Sequence, residues 1–226
     1  DYLKLEAVCV KRLYAIGIPA TLNMALPSFL VSALNAILAS FSQTYVVVLG
    51  VYYKLQTFLY LTANGMIQGM RPIMSYNYGA KNTDRVKGTF FLLLKASLTY
   101  SIILWGLVML FPQMFAGIFT SNPALVIFTK KALRVYMAVM FMFGIQISCQ
   151  MAFNSLGKAI SSIVVAVMRK FVLLIPLIYI MPHIFTTDQT MAVYMAEPVA
   201  DFIAVTFTAI LFSVQFKKAL TVIHLS

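Results

Sequence analysis

Apolar residues are grouped along the chain in long blocks. Six apolar blocks follow one another and are separated by short polar segments, at residues 13–38, 45–70, 88–111, 135–156, 160–181 and 191–216. A helix needs about 20 mostly apolar residues to cross roughly 30 Å of hydrocarbon at a rise of 1.5 Å per residue. The pattern therefore predicts six transmembrane helices.

The composition of the chain supports a membrane protein. Of 226 residues, 62% are hydrophobic and 10% are charged, whereas soluble domains carry roughly 25% charged residues. Residues 13–53 contain no Asp, Glu, Lys or Arg. Spanning strands would need the alternation of a barrel strand, which these blocks lack, and open strands would leave backbone groups unpaired in lipid. The predicted fold class is therefore an all-α membrane protein, a bundle of six transmembrane helices.

The basic residues predict the orientation of the bundle, because cytoplasmic connections collect Lys and Arg. One side of the predicted bundle carries nine of them: Lys4, Lys11, Arg12, Lys81, Arg85, Lys87, Lys158, Lys217 and Lys218. The other side carries Lys130, Lys131 and Arg134, in the connection between the third and fourth spans. We therefore expect a multi-pass protein of the cell (inner) membrane with both ends of this segment cytoplasmic.

The net charge of +11 requires no nucleic-acid partner. The placement of basic residues on the cytoplasmic side and their attraction to anionic headgroups account for most of it, so membrane lipid is the expected partner.

Polar residues inside the spans are the candidates for function, because such groups usually face a bundle interior or a water-filled cavity. Asn23 lies on a face of the first span with Pro19 and Pro27. Gln146 and Asn154 belong to a stripe at intervals of four in the fourth span. Prolines permit either a hinge or a kink made only for packing.

Two carboxylates, Glu197 and Asp201, lie in the last span in the sequence "MAEPVADF". Their spacing of four places both on one helical face, where they can exchange a proton or serve as hard ligands for Na⁺. The alternative is a structural ion pair between Asp201 and either Lys54 or Arg169. Lys54 lies deep in the second span and Arg169 in the fifth, and we assign the neighbouring Lys170 to the cytoplasmic interface.

The sequence contains no enzyme signature. His183 and His224 stand alone, and there is no HExxH motif, cysteine ligand set, Gly-rich phosphate loop or nucleophile elbow. No cofactor and no metal are expected beyond Na⁺ or H⁺ as a coupling ion.

Several short motifs occur in a defined order. The longest is "QGMRPIMSYNYGAKNTDRVK", residues 68–87, which we place in the cytoplasmic loop after the second span. It is followed by "ALRVY" at 132–136, "FNSLGKA" at 153–159, "LIPL" at 174–177 and "AEPVADF" at 196–202. In this order and spacing, the motifs resemble the carboxy-terminal half of multidrug and toxic compound extrusion (MATE) transporters, and the resemblance covers nearly the entire chain.

The resemblance implies one lobe of a twelve-helix transporter whose amino-terminal six-helix lobe is missing here. It implies a secondary antiporter that exports small cationic or amphipathic organic compounds in exchange for Na⁺ or H⁺, with rocking alternating access. The loop motif is matched by Gln68, Gly69, Pro72, Tyr76, Asn77, Tyr78 and Gly79. Lys54 matches a position where a basic residue is common, and Asp201 matches the acidic position of the last helix.

The chain also departs from the family pattern. Some MATE branches carry carboxylates in the helices that correspond to the first and fourth spans, and here those spans have none. The coupling-ion site therefore lies in the missing lobe or uses Glu197 and Asp201. Two other functions stay open, namely a lipid-linked oligosaccharide flippase of the same superfamily and a membrane scaffold that transports nothing.

Overall fold

The computed structural model describes residues 43–119, 123–185 and 189–225, together with scattered positions between residues 10 and 39. The described positions of that first segment are all helical. The first predicted span, at 13–38, falls largely outside the described residues, and so does its candidate residue Asn23.

Eight α-helices make up the described ranges, which contain no β-strand. They are α1 (Gln43–Gly79), α2 (Thr83–Leu110), α3 (Pro112–Phe119), α4 (Pro123–Tyr136), α5 (Phe143–Ser155), α6 (Ala159–Val167), α7 (Ile175–Ile184) and α8 (Gln189–Leu225). A 3₁₀ turn, Met140–Met142, joins α4 to α5, and a π-helical segment, Met168–Leu174, joins α6 to α7.

Three helical stretches in the described part of the chain are long and apolar enough to cross a membrane on their own: Thr83–Leu110, Ile160–Ile184 and Met191–Thr221. A bent pair, Val126–Tyr136 and Met140–Ser155, meets the same criterion only when its two helices are taken together, and their axes differ by 47°. The all-α membrane fold predicted from the sequence is therefore confirmed.

The bent pair corrects one detail of the sequence analysis. Lys130, Lys131 and Arg134 were expected in the connection before the fourth span, and they lie inside a helix, α4, that begins at Pro123. Proline is well suited to the first position of a helix, so α4 begins well before the predicted span at residue 135. At the bend, Met137 N–H donates to Leu133 O at 2.9 Å and Met140 N–H donates to Met137 O at 3.0 Å. Backbone groups at the bend thus keep partners, as hydrocarbon surroundings require.

Small residues bring α2 and α5 into close contact. The hydroxyls of Ser97 and Ser148 lie 2.7 Å apart, and both side chains are buried. The Ser97 hydroxyl lies 3.2 Å from the carbonyl oxygen of Gly144. A glycine at this position lets two backbones approach closely, which is the usual basis of helix pairing in membranes.

Aromatic side chains pack α2, α5 and α8 together. The ring of Phe212 lies 4.6 Å from that of Phe90 and 5.3 Å from that of Phe153, measured between centroids. Phe216 stacks on Phe212 at 4.9 Å. Because aromatic pairs contribute both buried area and specific geometry, these contacts fix the relative rotation of the three helices.

One end of the bundle gathers several helix ends and many of the basic residues. Ser75 Oγ near the end of α1 donates to Ser155 O at the end of α5, at 3.2 Å. Lys158 Nζ, just before α6, donates to Gln215 O in α8, also at 3.2 Å. The turn between α1 and α2 lies at the same end and carries Lys81. Lys81 and Lys158, which the sequence assigned to one side, therefore lie at the same end of the described bundle.

The contact between α2 and α5 gives a stability prediction. In Gly144→Ala, the new Cβ would lie 2.7 Å from backbone atoms of Ser97 and Leu98, so the helices must separate. Overpacking of this kind typically costs about 1–3 kcal/mol. We expect a lower thermal unfolding midpoint for the purified protein in detergent.

The matched control is Gly106→Ala on α2, whose Cβ would meet no heavy atom within 4 Å. Alanine has the higher helix propensity, so the midpoint should be unchanged or higher. An unchanged midpoint for Gly144→Ala would contradict the proposed close contact.

Candidate functional site

A pair of opposite charges lies inside the lobe, between the π-helical segment and α8. Arg169 Nε donates to Asp201 Oδ1 at 2.5 Å, and a terminal guanidinium nitrogen donates to Asp201 Oδ2 at 2.8 Å. The two side chains are 13% and 18% exposed. A guanidinium that binds both carboxylate oxygens in this way forms the strongest and most oriented type of ion pair.

A second carboxylate, Glu197, lies one helical turn before Asp201 on the same face of α8. Its side chain is only 1% exposed. Lys170, Asp201 and Arg169 all lie close enough to influence it electrostatically, and Lys170 does so more strongly than Arg169. The cluster therefore contains two cations from consecutive residues of one segment and two carboxylates four residues apart on α8.

Arg169 and Lys170 both belong to the π-helical segment. Ile175 N–H donates to Lys170 O, five residues earlier, so the turn is wider than an α-helical turn. Pro176 follows at once and has no N–H to donate to Val172 O, which favours a departure from α-helical bonding. Wide turns of this type recur at functional sites.

Two tyrosines from other helices complete the cluster. Tyr136, the last residue of α4, is buried in the core, and Tyr53 on α1 packs against that core close to Glu197. The Tyr136 ring contacts that of Tyr194 edge-on, with 5.5 Å between centroids. Residues from α1, α4, the π-helical segment and α8 thus meet at one place, which we call the charge cluster: Tyr53, Tyr136, Arg169, Lys170, Glu197 and Asp201.

The charge cluster is balanced, with two positive and two negative side chains when all four are ionised. Removing one partner of a buried pair strands the other charge, which is strongly destabilising. Buried ionisable groups in membrane helices are rare and tend to mark ion, proton or substrate pathways. The arrangement can hold a proton, exchange one, or fix helix packing.

The structure brings together three of the residues selected from the sequence, Glu197, Asp201 and Arg169. Of the two proposed partners of Asp201, the structure pairs it with Arg169. Lys54 is exposed on α1, beside Tyr53. Lys170 was assigned to the membrane interface; in the structure it is half-buried in the π-helical segment, near enough to Glu197 and Asp201 to influence them electrostatically.

The two amides of the fourth span lie apart from one another. Gln146, near the start of α5, is 3% exposed, and its Oε1 has no hydrogen-bond partner in the described part of the chain. Asn154 is half-buried near the end of α5, close to the basic end of the bundle. A cavity role for either side chain stays a prediction.

The motif assigned to a cytoplasmic loop is helical up to Gly79, which corrects the sequence analysis. The helix α1 runs through Gln68, Gly69 and Pro72 without interruption, because an interior proline removes one hydrogen bond and need not end a helix. Asn77 is buried and its amide donates to Ile73 O at 2.8 Å. Tyr76 is 77% exposed. Of the remaining motif residues, Tyr78 is half-buried and Gly79 is exposed.

Sequence reasoning missed Tyr53 and Tyr136 as members of the charge cluster. Tyr136 ends the motif "ALRVY", and Tyr53 directly precedes Lys54. Neither spacing indicates a shared site, since aromatic residues are abundant throughout the spans. The fold alone brings them together.

The chain matches the family model described as MatE over residues 19–180. Among curated proteins it is similar to the multidrug export protein MepA of Staphylococcus aureus (strain NCTC 8325 / PS 47), with 25% identity over 176 residues, covering 78% of this chain and 39% of that protein. The protein of the same name from Staphylococcus haemolyticus (strain JCSC1435) is 22% identical over 196 residues, covering 86% of this chain and 43% of that protein.

Among solved structures, the chain is similar to that of the MATE multidrug transporter DinF-BH. The TM-score is 0.82 and the identity 31%, covering 94% of this chain and 47% of that chain. The chain therefore spans less than half the length of each of these three proteins.

The Arg169–Asp201 pair gives a coupling prediction. Arg169→Gln or Asp201→Asn alone leaves a largely buried charge without its partner, whereas the double variant replaces the pair with neutral amides. We expect the double variant to be more stable than the sum of the single effects predicts, with a coupling free energy of about 1–3 kcal/mol. The free energy of unfolding of each purified variant in mixed micelles gives this coupling free energy.

The control cycle combines Asp201→Asn with Lys218→Gln. Lys218 is exposed and lies roughly 25 Å further along α8, so the two effects should add. Additive effects for Arg169 and Asp201 would show that the pair contributes nothing specific.

Proposed function

The chain belongs to the MatE family, and from that premise we propose that it is one lobe of an efflux transporter. The complete transporter exports cationic or amphipathic organic compounds in exchange for Na⁺ or H⁺, and it rocks between inward-open and outward-open states. The charge cluster is the observation that carries the proposal. A helix bundle held only by apolar packing has no need to bury four ionisable groups, whereas an ion-coupled transporter does.

The names of the similar proteins support the same function. Both curated proteins are described as multidrug export proteins, and the solved structure is described as a multidrug transporter. This chain spans less than half of each. We therefore propose that residues 1–226 form the carboxy-terminal lobe with six spans, at 13–38, 45–70, 88–111, 135–156, 160–181 and 191–216, and that an amino-terminal six-helix lobe completes the transporter.

We place the coupling step of this lobe in the charge cluster, with Glu197 and Asp201 as its acids. The coupling ion is Na⁺ or H⁺, and no further cofactor is part of the proposal. Lys54, Gln146 and Asn154 stay candidates for the substrate cavity, together with Asn23 outside the described residues.

The pairing of charges gives no support to the flippase alternative. A cavity for a lipid-linked oligosaccharide pyrophosphate calls for unpaired basic side chains, which bind phosphate through charge-assisted hydrogen bonds. Arg169 is instead bound to Asp201 through both carboxylate oxygens. The scaffold alternative leaves the burial of Glu197 without a purpose.

A transport assay tests the proposed function. The complete transporter is reconstituted in proteoliposomes and given an imposed Na⁺ or H⁺ gradient, and a fluorescent cationic dye reports movement across the membrane. We expect gradient-dependent dye movement that an ionophore collapsing the gradient abolishes. Dye movement equal to that of protein-free liposomes under both gradients would refute the efflux proposal.

A labelling experiment tests the proposed orientation, in which the basic end faces the cytoplasm. Asn82→Cys lies in the exposed turn after α1, and Gln113→Cys lies on the exposed start of α3 beyond the other end of α2. A membrane-impermeant maleimide is added to intact cells that carry one variant or the other. The positive-inside rule predicts that the Gln113→Cys variant is labelled directly, and that the Asn82→Cys variant is labelled only after permeabilisation.

The unaltered protein, which carries Cys9 outside the described residues and the buried Cys149, serves as the background control. The reverse pattern of labelling would place the basic end outside and overturn the orientation.

A further inference from the structure

We propose that a surface groove between α4 and α8 binds one anionic phospholipid of the surrounding bilayer. Arg134 binds the phosphate of this lipid, and the apolar lining of the groove holds one of its acyl chains. The site is separate from the charge cluster. It depends neither on the compound that the transporter exports nor on the ion that drives it.

The groove lies beside the bend between α4 and α5. Its volume is about 750 Å³, which is within the range of small-molecule pockets, roughly 300–1,000 Å³. Among the described residues, Arg134 is the one charged residue of its lining. The apolar lining includes Val135 and Val139 on one side and Met195, Val199 and Phe202 on α8. A groove with this lining fits an amphipathic ligand that carries a negative charge at one end.

The charged end of the groove lies nearer the membrane surface than its apolar part. The helix α2 and the stretch from α6 to α7 both cross the bundle away from the basic end, so α4 and α8 both run back towards it. Along this direction Arg134 comes before Val139, and residues 195–203 extend about 12 Å along α8 at 1.5 Å per residue. A phospholipid has the same orientation, with its phosphate at the surface and its chains towards the membrane centre.

The groove is open to the surroundings of the lobe on one side. Phe202 and Ile203, which line it on α8, are 53% and 41% exposed. Apolar side chains on the outside of a membrane helix bundle meet hydrocarbon. An acyl chain can therefore enter the groove from the bilayer without passing a polar barrier.

The charge of Arg134 is not balanced within the described part of the chain. Its side chain is exposed, and no acidic side chain of the described ranges forms an ion pair with it. Lys130 and Lys131, one turn earlier on α4, add two positive charges nearer the membrane surface. A guanidinium binds phosphate oxygens in pairs, and anionic headgroups are attracted to clusters of basic residues. The three cations therefore favour an anionic headgroup.

The headgroup, and not the acyl chain, determines which lipid binds. A chain that moves from the bilayer into the groove exchanges one apolar surrounding for another, since lipid tails are as apolar as leucine. The phosphate gains charge-assisted hydrogen bonds, which are stronger than bonds between neutral groups. A zwitterionic headgroup also carries a positive charge, which Lys130 and Lys131 repel. The groove therefore selects anionic over zwitterionic phospholipids, and it disfavours the cationic compounds of the proposed function.

Quenching of tryptophan fluorescence in vesicles tests the lipid site. The full-length protein carrying Phe202→Trp is reconstituted in phosphatidylcholine vesicles that contain a small fraction of phosphatidylglycerol, and one of the two lipids carries bromine on its acyl chains. Brominated chains quench a tryptophan that they contact. We expect brominated phosphatidylglycerol to quench the new tryptophan more strongly, per molecule, than brominated phosphatidylcholine does. The unaltered protein, which carries Trp105, gives the background signal.

Variants of Arg134 test the phosphate contact in the same protein. Arg134→Gln should weaken the apparent affinity for phosphatidylglycerol by about tenfold, because charge-assisted hydrogen bonds are lost. Arg134→Lys keeps the charge but not the paired hydrogen bonds, so it should retain part of the preference.

Two matched controls separate the groove from the general attraction of anionic lipid. Arg71→Gln removes the same charge from an exposed position on α1, outside the groove, and should leave the preference unchanged. Ile103→Trp places the tryptophan on α2 at a position that is 59% exposed. Per molecule, the two brominated lipids should quench it equally.

Equal quenching of the Phe202→Trp protein by both lipids, or an unchanged preference after Arg134→Gln, would overturn the proposal. Quenching by neither lipid would show that protein covers the groove, and would assign this surface to a contact with the amino-terminal lobe instead. Ile203→Trp provides the same readout if Phe202→Trp does not fold. None of these measurements involves dye transport, so the lipid site and the efflux function are tested independently.

Discussion

The constraint on which this structure depends is that hydrocarbon solvates neither a charge nor an unpaired backbone group. It explains why the described parts of the spans are helical and why the bend between α4 and α5 keeps turn-type hydrogen bonds. It also explains why Asp201 and Arg169 are found together, since either alone would be costly inside the bundle. Apolar packing then holds the helices in place. The backbones approach closely at Gly144, and Phe212 and Phe216 stack on one another.

Helix irregularities gather where the charges are. The π-helical segment carries Arg169 and Lys170, Pro198 follows Glu197 directly within α8, and Tyr136 is the last residue of α4 before the bend. Each irregularity lacks some regular α-helical hydrogen bonds, and π-helical turns in particular are frequent at functional sites.

The sequence was sufficient for those features that depend on periodicity. Apolar block length predicted the membrane helices, and a spacing of four placed Glu197 and Asp201 on one face. It was insufficient where tertiary contacts decide. Lys170 follows an apolar run, and nothing in the sequence indicated a π-helical segment at Met168–Leu174. Pro72 suggested a loop, but α1 continues past it because one lost hydrogen bond is a local cost in a helix of 37 residues. Tyr136 and Glu197 are 61 positions apart in the printed sequence, and only folding brings them together.

Charge balance within the cluster has a consequence for motion between lobes. In the proposed transporter, the two lobes rock relative to one another, and any ion pair that joined them would have to break in each cycle. The pair Arg169–Asp201 lies wholly within this lobe, as do Lys170 and Glu197. The lobe can therefore move as a unit without separating opposite charges in a low dielectric, where separation is most costly. Under the proposed function, uptake of the coupling ion changes that balance by one unit, so it alters the electrostatic energy of the lobe interior without requiring a contact across the interface.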